Sequence, residues 1–340
     1  MSSDEKEKTS VSLVISTFNR PADLRNALDS VASQSLIPDE VLVVDDGDDA
    51  SSEAVVGSLR PAFIERGSGL SHIRNTGPKS LTVARNVGVD NTRGDIIVFI
   101  DDDVVLDSGY VKSIVAVFDS HSEAMGVQGF HGGDLDPSFS GRLGNAIDRA
   151  FMIWFYGRDS CSMMPSYCST YPHEVTQVIH CQWLSGCNMS YRRAAFAEHR
   201  FDENLRRYCP GEDVDFSNRV WRSHPGSLYL TPHAKLEHRY TPSSRTPKRN
   251  LTLIQTVYWR YLALKNTDRT VRNRLAFCWS SVGRVVTSLL RNAKAQMSGQ
   301  LKEPCFLEAK YRIEGLMLGR RHTEELRKGD LRFLDKYFDY

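Results

Sequence analysis

Hydrophobic residues along this chain fall into two alternating rhythms. Val11–Thr17 (VSLVIST) is a β-branched apolar run, the pattern of a buried strand. It ends at Asn19, Arg20 and Pro21, after which Leu24, Leu28 and Val31 recur at helical spacing. Residues 41–44 repeat the strand and close on Asp45-Asp46-Gly47; a short helix is expected from about Ser51, with residues 62–64 as a third strand. Residues 81–89 predict a helix, 95–100 a strand, and 108–118 a helix whose Val111, Ile114, Val115 and Phe118 share one face. Strands alternating with helices predict an α/β fold with a mostly parallel, doubly wound sheet.

Farther along, the rhythm is mixed. Short strands are expected near 125–130, 188–191 and 227–230, and a helix near 213–221. The tail reads as helices at about 249–266, 270–296 and 305–326.

The chain has 340 residues, of which 41% are hydrophobic and 25% charged, enough apolar material for a sizeable core, which excludes a disordered or low-complexity chain. No run of about 18 apolar residues occurs, so no membrane-spanning helix is expected. The first ten residues, MSSDEKEKTS, have no apolar segment of the secretory type, so a disordered N-terminus over residues 1–10 and a cytoplasmic location are expected. The seven cysteines form no CxxC pair and are expected as reduced thiols. A net charge of +1 hides an asymmetry: residues 241–340 hold 20 Lys and Arg against 9 Asp and Glu, so the first 240 residues are acidic and the tail basic.

In a doubly wound sheet, ligands bind beyond the carboxyl ends of the strands. Three such ends carry polar chemistry: Thr17 to Arg20, Asp45-Asp46, and Asp101-Asp102-Asp103. The acidic triplet reads either as a solvated loop that caps the next helix or as a site for Mg²⁺ or Mn²⁺, whose hard character suits carboxylate oxygens. Arg85, in TVARNVG, lies between the acidic strand ends in the sequence and could reach a phosphate or a base. The absence of GxGxxG after the first strand and of GxxxxGK[ST] anywhere argues against dinucleotide and P-loop sites. Glu212 and Asp213 in PGEDVDF fall at a helix start, where carboxylates are favoured by the dipole alone. His238, in LEHRY, follows a short apolar segment and reads as a structural histidine or a metal ligand.

Taken in order, VSLVISTFNRP, VLVVDDG, ARNVG, IIVFIDDD, WLSGCNMSYRR and GEDVDF resemble the family 2 glycosyltransferases of GT-A fold over about residues 10–240. The resemblance implies inverting transfer of a sugar from a nucleotide diphosphate donor, preferably UDP-sugar, to a hydroxyl of a glycan or lipid-linked acceptor, with Mn²⁺ or Mg²⁺ as cofactor. It divides the chain into a GT-A domain at 11–240, made of a nucleotide-sugar-binding half (11–120) and an acceptor-binding half (121–240), and a basic helical region at 241–340. By the same resemblance Thr17, Asn19 and Arg20 line the nucleotide pocket, Asp46 bonds the base, and Arg85 contacts base or phosphate. Asp101 faces the ribose or a metal-bound water. Asp103 is the direct metal ligand, with Asp102 as the competing assignment. Trp183, Gly186 and Asn188 resemble the acceptor and sugar segment, Asp213 the catalytic base, Glu212 a group that orients Asp213 or binds acceptor hydroxyls, and His238 the histidine that completes the metal site.

Beyond residue 240 the resemblance fades. Residues 272–294 interleave apolar side chains with Arg272, Arg274, Arg284, Arg291 and Lys294. This basic amphipathic pattern fits a helix packed on the catalytic domain or one lying on the inner membrane face as a peripheral contact. No nucleic acid is expected, since no helix-turn-helix, RNA-binding sheet motif or zinc finger is evident. Two further readings are a sugar-1-phosphate nucleotidyltransferase, whose glycine-rich first loop is replaced here by TFNRP, and a non-catalytic GT-A-like scaffold.

Overall fold

The computed structural model describes residues 9–132, 136–157, 160–206, 208–239, 246–301 and 303–337. In chain order its strands are β1 (Val11–Thr17), β2 (Glu40–Asp45), β3 (Gly69–Arg74), β4 (Ile96–Asp101), β5 (Val104–Leu106), β6 (Gly126–Phe130), β7 (Phe155–Gly157), β8 (Thr170–Pro172), β9 (Ile179–Cys181), β10 (Met189–Arg192) and β11 (Leu228–His238). The helices are α1 (Pro21–Ala32), α2 (Ser51–Glu65), α3 (Leu81–Asp90), α4 (Tyr110–Ser120), α5 (Phe139–Ala150), α6 (Ala195–Glu198), α7 (Glu212–Ser223), α8 (Lys248–Asn266), α9 (Val271–Met297), α10 (Leu307–Arg321) and α11 (Thr323–Arg327).

The main sheet runs β3-β2-β1-β4-β10-β6-β11-β5, with β9 on the side of β11. β1, β2, β3 and β4 are mutually parallel, whereas β10 is antiparallel to both β4 and β6. Side chains alternate across it with the strand period of two. Leu13, Ile15, Val41, Val43, Ile96 and Val98 face one core, built with α1, α2 and α4. Val14, Leu42, Val44, Ile97 and Phe99 face the other, which takes in α3, α7 and α8. The helix α4 follows the spacing seen in the sequence: Val111, Ile114 and Phe118 are fully buried, each contributing about 1.5–3 kcal/mol by the usual transfer values. Close packing of α3 on β1 requires Gly88, since a Cβ there would lie 2.5 Å from a methyl of Val14.

Several expectations change. Residues 62–64 are not a strand: Val56 and Phe63, seven apart, share the buried face of α2, and the third strand is β3, whose Ser71, His72 and Arg74 hide its apolar signal. The expected strand at 227–230 continues as β11 through His238, where it pairs with β5, a strand the pattern did not show. The single helix expected at 305–326 is divided into α10 and α11 around His322, and α5 was not foreseen.

Of the N-terminal segment expected to be disordered, residues 1–8 lie outside the described residues. Ser10 is held by its backbone N–H and hydroxyl, both donating to Asp95. The boundary expected at 240/241 also lies outside them. Beyond it, Leu253, Ile254, Val257 and Leu262 of α8 are buried in the core of the sheet face that carries α7. Asn266 fastens this helix by donating to the Asp215 carboxylate and the Tyr167 hydroxyl, both at 2.7 Å.

Candidate active site

Four strand ends and one helix start converge on a carboxylate cluster. β1 and β4 lie side by side in parallel register, with Ser16 opposite Asp101, so the loops after them open at the same edge. Thr17 donates its hydroxyl to Asp102 at 2.8 Å, and Arg20 reaches Asp102 at 3.1 Å and Asp103 at 3.7 Å. Asp102 is thereby turned to the β1 side. Burial pushes it up to about 7, against the pull of Arg20 and Thr17.

Asp103 is turned the other way. The antiparallel pairing of β5 with β11 sets His238 opposite Val104, and Arg239 donates its backbone N–H to the Asp103 carbonyl at 2.9 Å. His238 Nε2 thus stands 3.0 Å from Asp103 Oδ1. Burial opposes charge on this imidazole, but bonds to Asp103 and Cys187 outweigh it and push His238 up to about 10. Asp101, Asp103 and His238 each offer a ligand atom within 4.8 Å of the others. Two carboxylates and one imidazole form a donor set that suits Mn²⁺ or Mg²⁺, and the side chains converge closely enough to share one ion.

Arg85 joins this group to the start of α7. It is 2% exposed and bonds Glu212, Asp101 at 3.3 Å and the Gly186 carbonyl at 2.9 Å. Burial disfavours its charge, yet Glu212 and Asp101 more than restore it. Arg85 therefore stands behind the carboxylates. Asp213, in the first turn of α7, accepts the N–H of Gly186 at 2.9 Å and that of Val214 at 2.8 Å. Burial raises its pKa, and those two bonds and Arg85 work against the rise. Glu212 is pushed up to about 8 by burial and then by the charge of Asp213, although Arg85 opposes both. Gly186 fits because it has no side chain: a Cβ would meet Glu212 Oε1 at 2.9 Å.

The remaining expected residues lie around this cluster. Asn19, at φ 54°, exchanges bonds with Asp48, donating to its carboxylate and accepting its N–H, both at 2.9 Å. Asp46 accepts from Asn75 at 2.6 Å and from the Ser80 N–H at 3.1 Å, and burial raises its pKa. Trp183 is buried, its indole N–H donating to the Thr170 carbonyl at 2.9 Å, so the structure places it in the core and outside the chain of contacts around Arg85. Asn188 is fully buried too; its carbonyl accepts the Tyr110 hydroxyl at 3.0 Å, while its amide atoms meet no partner.

The partners of two expected residues, Asp45 and His238, were not singled out from sequence. Asp45 is bound by His72 at 3.1 Å and Arg74 at 3.3 Å, both on β3. A correct placement of β3 would have exposed them, because its register sets Arg74 opposite Asp45. Cys187 bonds His238 from the segment before β10, and only the fold brings those positions together.

With this geometry in view, comparison with known proteins gives consistent results. Residues 12–200 match the model of "Glycosyl transferase family 2". Among curated relatives, the uncharacterized glycosyltransferase YwdF of Bacillus subtilis is 31% identical over 34% of this chain, a match that spans only 41% of YwdF. The glucosyl-dolichyl phosphate glucuronosyltransferase of Haloferax volcanii is 23% identical over 67% of this chain and 69% of its own length. A solved structure, the mannosyltransferase PcManGT of Pyrobaculum calidifontis in complex with GDP-Man and Mn²⁺, superposes with a TM-score of 0.57 at 12% identity, covering 93% of this chain and 88% of that one. The arrangement is the GT-A fold, with helices added at the C-terminus.

Proposed function

The chain belongs to glycosyl transferase family 2, and from that membership we propose that it is an inverting, metal-dependent enzyme that transfers a sugar from a nucleoside diphosphate donor, UDP-sugar first, to a hydroxyl of a glycan or lipid-linked acceptor. The observation that carries this reading is the meeting, through Arg85, of a cation-binding group (Asp101, Asp103, His238) with a buried carboxylate, Asp213.

Asp213 is the general base. Inversion needs a carboxylate that takes the acceptor proton while the hydroxyl oxygen attacks the anomeric carbon opposite the leaving diphosphate. Two backbone N–H groups fix its oxygens, and its place in the first turn of α7 favours the anion. Burial makes it a stronger base than an exposed aspartate. Arg85, held by Glu212 and the Gly186 carbonyl, adds a favourable charge near it.

Asp101, Asp103 and His238 hold the cation, and a bound Mn²⁺ or Mg²⁺ would supply positive charge to the leaving diphosphate. Arg20, beside Asp102 and Asp103, adds cationic charge at the same edge. Thr17, Asn19 and Asp46 mark the nucleotide side, and Gly186 the sugar and acceptor side. The lipid-linked acceptor class is supported by the Haloferax relative, whose name gives glucosyl-dolichyl phosphate as its substrate.

The test is NMR observation of donor hydrolysis by the protein with Mn²⁺ and each of several UDP-sugars. The proposal predicts that the first sugar anomer released is opposite in configuration to that of the donor, and that Asp213→Asn abolishes its release. Release of the retained anomer would overturn inversion. Pyrophosphate formed from a nucleoside triphosphate and a sugar phosphate would overturn the reaction class.

A further inference from the structure

In α9 a row of small residues faces inward and most of the large apolar ones outward; Phe277 packs against the core, and Trp279, though half exposed, donates its indole N–H to the Ala150 carbonyl at 2.8 Å. Ala276, Ser280, Gly283 and Thr287 are buried, with Gly283 packed against Phe151, where a Cβ would come within 2.3 Å. Val271, Leu275, Trp279, Val282, Leu289 and Leu290 are exposed, Leu275 at 66% and Trp279 at 49%. Val271, Leu275, Trp279 and Val282 follow at intervals of three or four residues and Leu289 two turns later, which keeps them on one side of a helix of 27 residues, about 40 Å long at 1.5 Å per residue. The neighbouring α10 exposes Ile313 and Met317 as well.

The charge on this helix is basic, with Arg272, Arg274 and Lys294 exposed, Arg291 paired with Asp148 of α5 and Arg284 turned in to the Cys168 sulfur. α9 carries Arg272, Arg274, Arg284, Arg291 and Lys294 and no Asp or Glu. Next to it a groove of about 530 Å³ is walled by Phe277, Val282 and Leu316 and ringed by Arg260, Arg269, Arg274, Arg320 and Arg327, with Asp268 as the carboxylate in its lining. After burial, Arg320 and Arg327 are among the groups that most disfavour the charge on Arg260.

We propose that this face of the C-terminal helices docks on an anionic lipid bilayer, with the apolar stripe entering the boundary between headgroups and acyl chains and the arginine-ringed groove taking a lipid phosphate. Charge decides between this occupant and a second copy of the chain. Two copies joined through this face would set the five arginines of the groove against the same five, with Asp268 as the carboxylate in its lining. An anionic surface complements the arginines of the groove together with Arg272 and Lys294, and a basic amphipathic helix binds such a surface through buried apolar area plus attraction to the headgroups. Contact is made at the surface, because no helix among the described residues is long and apolar enough to cross a membrane. The inference stands apart from the catalytic reading, since no residue of the carboxylate cluster enters it.

The experiment is co-sedimentation of the full chain with vesicles of phosphatidylcholine, alone or mixed with phosphatidylglycerol, at low and high salt. The phosphatidylglycerol vesicles should bind the protein at low salt, with the bound-to-free ratio falling about tenfold or more on phosphatidylcholine alone or at high salt. Leu275→Glu with Val282→Glu should lower it at least about tenfold, and Arg274→Glu with Arg320→Glu should do the same. All four side chains are exposed, so melting temperatures should stay at the wild-type value. No binding to phosphatidylglycerol vesicles at low salt, equal binding to both vesicle types, or variants that bind like wild type would overturn the proposal. So would a dimer, seen by light scattering, that Leu275→Glu with Val282→Glu splits.

Discussion

Gly186 donates its backbone N–H to Oδ2 of Asp213 at 2.9 Å, tying the segment before β10 to the first turn of α7. The other oxygen of Asp213 accepts the Val214 N–H at 2.8 Å, so the backbone fixes both sides of this carboxylate. The place a Gly186 side chain would occupy is bordered by Glu212, Arg85 and Asp213. A loop glycine and a helix-start aspartate, distant in sequence, therefore form one unit.

Gly186→Ala tests that unit. The added methyl must displace Glu212 or move the loop, and a shift of about 1 Å in a positioned group costs about 10²-fold in rate. We expect kcat to fall by that order, with little change in the affinity for donor or in melting temperature. Steady-state kinetics beside a thermal melt measure both, and an unchanged kcat would show that the contact does not position the base.

Asp213→Asn should lower kcat by about 10²–10⁴-fold and leave donor affinity nearly unchanged, as removal of a general base does. In the wild type, burial raises the pKa of Asp213, so it holds its proton to higher pH than an ordinary aspartate at 3.8. Activity should therefore fall, as pH decreases, through a limb that lies above 3.8. A pH–rate profile whose acid limb sits at or below that value would contradict the assignment.

Asp102 and Asp103 are separated by their partners. Asp103 faces His238 and Asp101, whereas Asp102 is bonded to Thr17 and Arg20. We expect Asp103→Ala to remove measurable Mn²⁺ binding, and Asp102→Asn, which acts only on the surroundings of the ion, to weaken it by about 10–100-fold. Calorimetric titration of both variants with Mn²⁺ decides the matter; a greater loss in Asp102→Asn would reverse the assignment.

The tie between α8 and α7 is a buried polar network. Asp215 accepts from Asn266 at 2.7 Å, Arg219 at 2.8 Å and Lys265 at 2.9 Å, and Lys265 also reaches Asp202 at 2.6 Å. Asp215→Ala should destabilise the protein by about 3–5 kcal/mol, the usual cost of removing one partner of a buried pair, read as a fall in the urea midpoint. Asp202 adds a pH dependence. Burial opposes its charge, but Lys265 and Tyr261 outweigh it and hold Asp202 below the ordinary 3.8. Its contribution is complete above 3.8 and is lost as pH falls through the lower folded value, so Asp202→Asn should flatten the fall in stability with acid in that range.

Much of this architecture is legible in the sequence because the buried strands are short apolar runs that end in polar residues. Val11–Thr17 and the acidic triplet after Ile100 could be placed from the pattern alone, and so could the apolar face of α4. β3 could not, since Ser71, His72 and Arg74 interrupt its apolar run, and with it went the partners of Asp45. Neither could the pairing of β5 with β11, a long-range contact that no local period encodes; it is what sets His238 beside Asp103. Trp183, expected from the resemblance in the acceptor and sugar segment, lies buried with its N–H donating to the Thr170 carbonyl. The side chain alone does not reveal whether an aromatic faces a ligand or a neighbouring strand.

The most direct test of the central claim is calorimetric titration of the purified protein with UDP, GDP and dTDP, each with Mn²⁺ and with EDTA, beside the Asp103→Ala variant. The account predicts that one nucleotide, UDP first, binds in the presence of Mn²⁺ and loses about 10²-fold or more in affinity with EDTA or in the variant. Binding of equal strength in EDTA, or no binding of any of the three, would contradict it.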